Sequence, residues 1–180
     1  MRRGARGGRR GAVGEHVGFD PSNIFVALNA ARVKYLVIGG LAVILHGVDR
    51  HTWDVDLAVE LTTGNLKALE QALERIGFYR RVPTPIEGLA DPKTRRIWTG
   101  QRNMKVYSFI ERSGRSRVVD VMVNPPTPFD AVYRRRVIVR PFGVTIPLVP
   151  VDVLIRLKQQ AARPQDFHDI ANLKQLRKLP

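Results

Sequence analysis

No cysteine occurs among the 180 residues, which excludes disulfide scaffolds, cysteine-based zinc ribbons and thiol catalysis. The same absence fits a cytoplasmic, reducing location. Long apolar runs are also missing: the longest, residues 36–45, contains Gly39 and Gly40 and is about half the ~20 residues of a membrane span. The N-terminus opens Met-Arg-Arg-Gly without the apolar stretch of a secretion signal, so export is not expected. Acids are scarce, with 16 Asp and Glu against 30 Lys and Arg, a formal charge of +14. Such a surplus attracts polyanions, which brings nucleic acid, nucleotides and anionic membrane surfaces into consideration.

What is present is an ordinary globular composition, 44% hydrophobic and 26% charged, sufficient for one sizeable core. The length suits one domain with a small appendage. Residues 1–18 are mainly Arg and Gly with little to bury and predict a disordered basic arm. A single domain is expected over 19–180, with no internal repeat.

Asp20-Pro21 followed by Ile24, Phe25, Leu28 and Ala31 at helical spacing predicts an N-cap, a proline at the first helical position and a helix to about Arg32. The apolar run 35–38 predicts a strand that ends at Gly39-Gly40. Residues 41–45 then read as a short buried helix stopped by Gly47. Over 55–60, Val55, Leu57 and Val59 alternate with Asp54, Asp56 and Glu60, a strand with one apolar and one acidic face. Leu66, Leu69, Leu73 and Ile76 predict a helix from Thr63 to Gly77. Residues 80–103, with their prolines, glycines and arginines, read as an irregular loop. A hairpin is expected from 104–111 and 117–123 around a turn at 113–115, then a helix over 128–135, strands over 137–140 and 144–148, and a C-terminal helical segment over about 150–176.

The acids are the first chemical signal. Asp54 and Asp56 share one pleated face roughly 6.6 Å apart along the strand, a spacing that suits a divalent cation held by hard oxygen ligands. An acidic pair on an exposed strand is otherwise common. Gly39-Gly40, where a strand hands over to a helix, lets backbone approach a ligand closely, and the N–H groups there favour phosphate; a tight turn under the sheet is the competing reading. Asp120 lies within the apolar run 118–123 and needs a partner, because a lone buried charge is costly. That partner is either a metal shared with Asp54 and Asp56 or an arginine. Lys158 sits beside the apolar stripe of its helix and reads as a solvated lysine. Arg50, Arg163 and Asp166 read as supporting groups or structural ion pairs. His46, His51 and His168 form no zinc motif, and Trp53 and Trp98 suit either base stacking or packing.

The run Tyr35-Leu-Val-Ile-Gly39-Gly40, then Arg50-His-Thr52-Trp-Asp54-Val-Asp56-Leu57, then the strand with Asp120, resembles the signature of the nucleotidyltransferase superfamily. The ending Asp152 to Lys158, continued by Ala161-Ala-Arg163-Pro-Gln-Asp166-Phe-His-Asp169-Ile170, is similar to that of its minimal, AbiEii-like branch, which includes toxins of toxin–antitoxin systems. Together these stretches cover about half the chain. The resemblance implies an α+β fold, a nucleotidyltransferase-like mixed β-sheet with flanking helices and a C-terminal helical segment. It implies Asp54, Asp56 and Asp120 as ligands of Mg²⁺, two ions or Mn²⁺ in their place, with Asp120 the third ligand or the base for the acceptor hydroxyl. Gly39, Gly40, Arg50 and Thr52 would bind the nucleotide, ATP or another NTP, with Lys158 offsetting its charge. The implied activity is transfer of a nucleoside monophosphate to a hydroxyl. The basic charge makes RNA, tRNA included, the leading acceptor; protein and small molecules stay open, as does a partner antitoxin. The competing reading is a catalytically inactive nucleic-acid-binding or regulatory protein on the same fold.

Overall fold

The computed structural model describes residues 20–112 and 117–177; the expected arm over 1–18 and the hairpin turn at 113–115 lie outside these. Helix α1 (Ser22–Ala30) buries Ile24, Phe25 and Leu28, the face its spacing predicts. The Ser22 N–H donates to Asp20 Oδ1 at 2.8 Å, and Pro21 takes the cap position, so the helix begins one residue later than expected. The chain then makes β1 (Tyr35–Val37), α2 (Gly39–Leu45), β2 (Asp54–Val59) and α3 (Thr63–Arg75). Thr62 caps α3, its side chain accepting from the Asn65 N–H, which satisfies one of the donors a helix start leaves open.

Residues 78–101 differ from the predicted loop. They form a short edge strand β3 (Phe78–Arg80), a 3₁₀ turn (Ile86–Ala90) and α4 (Pro92–Gln101). Asp91 caps α4 by accepting from the N–H groups of Lys93 and Thr94 at 3.1 and 3.0 Å, with Pro92 at the first helical position. The helix is amphipathic through one large residue, Trp98, which is buried and stacks on Tyr107 at 6.2 Å. A single aromatic anchor among arginines leaves no stripe for periodicity to detect.

The second half supplies β4 (Val106–Glu111), β5 (Val118–Met122), α5 (Phe129–Arg134), β6 (Val137–Val139), β7 (Ile146–Leu148), α6 (Val151–Ala161) and α7 (Pro164–Arg177). The strands form one seven-stranded sheet in the order β3-β4-β5-β2-β1-β7-β6. Pairing is parallel between β2 and β5 and between β1 and β7, and antiparallel between β1 and β2, β3 and β4, β4 and β5, and β6 and β7. This is the α+β, mixed-sheet architecture expected. Val55, Leu57, Val119, Val121, Tyr107 and Phe109 are fully buried on one face of the central strands, and the alternating positions face the other way. Among the described residues no helix is long and apolar enough to cross a membrane.

Candidate active site

The acids are brought together by strand register. Parallel pairing sets Asp56 opposite Asp120 and Asp54 opposite Val118, while antiparallel β4 sets Ser108 on the far side of Asp120. Because neighbouring strands run about 4.8 Å apart and their side chains alternate in phase, Ser108, Asp120 and Asp56 form a row on the face opposite the core. Asp54 stands one pleat away on the same face, at the exposed end of β2.

Burial of these carboxylates, and then their mutual repulsion, disfavours the ionised forms. Burial pushes the Asp56 carboxyl up, and the negative charges of Asp120 and Asp54 add to this. The Gly40 N–H and the nearby Arg163 pull it back, and it settles at about 6. Asp54 is raised too, by burial and then by Asp120. Asp120 Oδ1 is buried with no hydrogen-bond partner, an exception that calls for an explanation, because buried carboxylate oxygens are nearly always paired. Three hard oxygen donors, mutual repulsion and an orphaned oxygen are the chemistry that a divalent cation relieves. The three do not yet enclose an ion: among the described residues no group of three or more His, Asp or Glu side chains is gathered tightly enough to do so.

The glycine turn meets the acids directly. Gly39 adopts φ +63° and a Cβ there would overlap the Asp56 carboxylate, while the Gly40 N–H points at Asp56 Oδ2 at 3.4 Å. A Cβ on Gly40 would stand 2.7 Å from Arg50 Nη1 and 2.9 Å from Thr52 Oγ1. Gly39, Gly40, Arg50, Thr52, Asp56 and Asp120 thus belong to one locality. Gly39→Ala is expected to lower stability by at least about 1–2 kcal/mol through the left-handed backbone alone, with the clash added. Gly64→Ala in α3, where a Cβ meets nothing within 4 Å, should be neutral or stabilising by up to about 1 kcal/mol. Thermal unfolding of the two variants side by side checks the contrast.

Lys158 is situated differently from the solvated lysine its helix position suggested. It is 3% exposed and donates to Asp166 Oδ1 at 3.0 Å and Asp169 Oδ2 at 2.6 Å. Asp169 Oδ2 also accepts from Arg50 Nη1 at 3.0 Å, and Asp166 is gripped by Arg163 through Nε at 2.8 Å and Nη2 at 3.2 Å. Asp169, which sequence reasoning did not single out, is 1% exposed. The available signal was the spacing Asp166 to Asp169 on one helix face, three residues apart. Of the other candidates, His46 Nε2 bonds the Val149 carbonyl oxygen at 2.9 Å, Trp98 belongs to the core, and Trp53 is 62% exposed beside Asp54.

Neither a protein-family model nor a curated protein matches the chain. Solved structures do. A lincosamide antibiotic adenylyltransferase, LnuA, in lincomycin-bound form superposes with a TM-score of 0.57 at 17% identity, covering 88% of this chain and 98% of that one. The complex of ANT(2″)-Ia with adenylyl-2″-tobramycin gives 0.54 at 12% identity, covering 85% and 84%. A candidate nucleotidyltransferase of Thermotoga maritima gives 0.52 at 15% identity, covering 86% and 89%. At such identities the likeness is one of architecture, and it extends over nearly the whole length of these chains: the protein has the nucleotidyltransferase fold.

Proposed function

We propose that the chain is a metal-dependent nucleotidyltransferase that moves a nucleoside monophosphate from an NTP to a hydroxyl acceptor. The observation that carries this reading is the register that sets Asp56 beside Asp120 against the Gly39-Gly40 turn, on a fold shared with nucleotidyltransferases of known structure. Asp54, Asp56 and Asp120 would hold Mg²⁺, for which Mn²⁺ could substitute, and ions bound there would supply Lewis-acid stabilisation of the charge that develops during transfer. The residues do the rest. Gly39 and Gly40 admit the triphosphate close to the backbone, Arg50 and Thr52 flank it, and the hydroxyl proton passes to Asp120, whose Oδ1 lacks a partner. A bond forms between the acceptor oxygen and the α-phosphorus, and pyrophosphate leaves. Most of the rate then comes from positioning, and no nucleophilic side chain is required.

The acceptor favoured by the charge of +14 is RNA, tRNA included, because phosphate contacts supply most non-specific nucleic-acid affinity. The similarity of the C-terminal stretch to the AbiEii-like branch supports a role as the toxin of a toxin–antitoxin pair. Radiolabelled NTPs, each incubated with Mg²⁺ and total RNA, a protein extract or aminoglycoside and lincosamide antibiotics, test the reading. Label is expected in RNA, and loss of divalent cation or Asp54→Ala with Asp56→Ala should abolish it. Labelling that survives this double substitution removes the site assignment. A wild type that shifts RNA in a salt-sensitive manner without labelling any acceptor favours the inactive binder instead.

A further inference from the structure

The strand register that gathers the acids continues past them across the sheet. One row runs from Asp54 through Val118 and Ile110 to Tyr79. The next runs from Asp56 through Asp120 and Ser108 to Arg81, whose N–H donates to the Ser108 carbonyl oxygen at 2.9 Å. Both rows lie on the face opposite the core, because side chains alternate along a strand and stay in phase between strands. Arg80, in the opposite phase, reaches Glu70 of α3 on the core side, while the Arg112 guanidinium lies 3.9 Å over the Tyr79 ring. Ile110 is 41% exposed, and Val106 on the same face of β4 is 37% exposed. Single exposed aliphatic residues need no explanation, but these line up with a tyrosine and two arginines and lead to the acids. The rows span roughly 14 Å across four strands, and the Gly39-Gly40 turn abuts Asp56 and closes that end. A chain lying along them therefore meets the acids with its terminus and not its middle.

We infer that these rows form the acceptor track, and that its occupant is the 3′ end of single-stranded RNA. This deepens the transferase reading and rests on it. Tyr79, Ile110 and Val118 supply an apolar lane on which bases lie, since every base has a flat face and such stacking tolerates any sequence. Arg81 and Arg112 stand at the far end, where the phosphates of preceding nucleotides pass. The same arginines repel a polycation, so the charge of the track disfavours aminoglycoside acceptors. Ser108 adjoins Asp120 in its row and is half-buried. It is a positioning residue: with one hydroxyl of the terminal ribose at Asp120, the Ser108 hydroxyl bonds the other, a contact that DNA does not offer. The ribose oxygen at Asp120 bonds to the α-phosphorus as pyrophosphate leaves, and its proton passes to Asp120.

A short single-stranded RNA carrying fluorescein at its 5′ end, titrated in chelator without nucleotide, reads the track by anisotropy. Arg81→Ala combined with Arg112→Ala should weaken binding on the order of tenfold or more. It should also lower the slope of log affinity against log salt by roughly 1.4, at about 0.7 per phosphate contact in a single strand. Ile110→Glu, at an exposed position, should weaken binding comparably; if it does not fold, the arginine pair still decides. Lys67→Ala combined with Arg75→Ala removes the same charge from exposed positions of α3, on the core side of the sheet, and should change affinity little. With Mg²⁺ and labelled NTP, the wild type should label this RNA and should prefer it to the same RNA ending in 2′-deoxyribose. Ser108→Ala should erase that preference, which a merely structural loss would not do. An RNA ending in 2′,3′-dideoxyribose should bind and take no label. Equal losses in the two charge-removing pairs, or a wild type that binds no RNA, overturn the track, as does label that goes to protein or to an aminoglycoside in preference to RNA. Labelling of RNA that is indifferent to Arg81, Arg112 and Ile110 sinks the track alone. RNA binding that depends on them, with no labelling of any acceptor, sinks the transferase reading and leaves the track as a binding surface.

Discussion

Lys158→Met is expected to lower the stability of the protein by about 3 kcal/mol or more at pH 7, a drop of roughly 6–12 °C in the unfolding midpoint of a chain this size. Methionine fills nearly the same volume, so the effect isolates the charge. Lys158 is 3% exposed, and its loss leaves Asp166 and Asp169 buried with fewer donors than lone pairs. Breaking a buried ion cluster by removing one member is far costlier than replacing it whole, because the remaining charges stay desolvated. The pH dependence follows. Burial alone would raise the Asp166 carboxyl, but the hydrogen bonds from Arg163 and Lys158 outweigh it and hold it at about 2. A depressed carboxyl stabilises the fold above its unfolded value, near 4, and that contribution is lost as the pH falls toward 2. Removing Lys158 shrinks the depression, so the gap between variant and wild type should be widest near neutrality and close in acid. Chemical unfolding at pH 7 and pH 3 measures it. A deficit under about 1 kcal/mol at pH 7 would mean that Arg50 and Arg163 suffice for both aspartates.

That cluster also marks where the sequence stops being readable. Lys158 lies beside an apolar stripe, and a lysine there reads as solvated because helical periodicity reports which face is apolar and says nothing about a partner on the next helix. Its partners Asp166 and Asp169 sit on α7, and only the packing of α6 against α7 encloses the three. The acids of the site were more legible. Alternation along β2 puts Asp54 and Asp56 on one face from sequence alone, and the Gly39-Gly40 pair announces a turn whose φ of +63° the structure bears out. What alternation cannot give is register between strands far apart in the chain, and the meeting of Asp56 with Asp120 is a register. The same non-locality hides β3, three residues long and ordered by pairing with β4. The segment 80–103 is another matter. Asp91-Pro92 repeats the Asp20-Pro21 signature, and Asp91 does cap a helix, but in mid-chain the cue stands among prolines and arginines with no apolar stripe to support it.

The strongest separation between the acids as structural groups and as working ones comes from Asp56→Asn. Asparagine is isosteric and its Oδ1 can still accept from the Gly40 N–H, so the local geometry is kept while the charge goes. In the folded protein burial and the neighbouring Asp120 push the Asp56 carboxyl up to about 6, against a value near 4 in the unfolded chain. A raised carboxyl binds its proton more tightly when folded. Between those two values the folded state therefore carries more protons than the unfolded one, and stability falls as pH rises through the window. At pH 8 in chelator the wild type bears the full cost of an ionised, repelled Asp56, on the order of 3 kcal/mol. The variant does not, and its stability should exceed the wild type's by that margin at pH 8 and match it near pH 4. Magnesium should then stabilise the wild type and not the variant, because a ligand raises stability only where it binds the folded form. Nucleotide transfer should fall by at least about 10²-fold in the same protein, the scale set by removing one preorganised electrostatic group from a reacting centre. A carboxylate retained for the fold would behave in the opposite way, its loss lowering the midpoint at every pH above 4. Thermal unfolding in chelator across pH 4 to 8, repeated with Mg²⁺, therefore distinguishes an acid kept for chemistry from one kept for structure before any substrate is known.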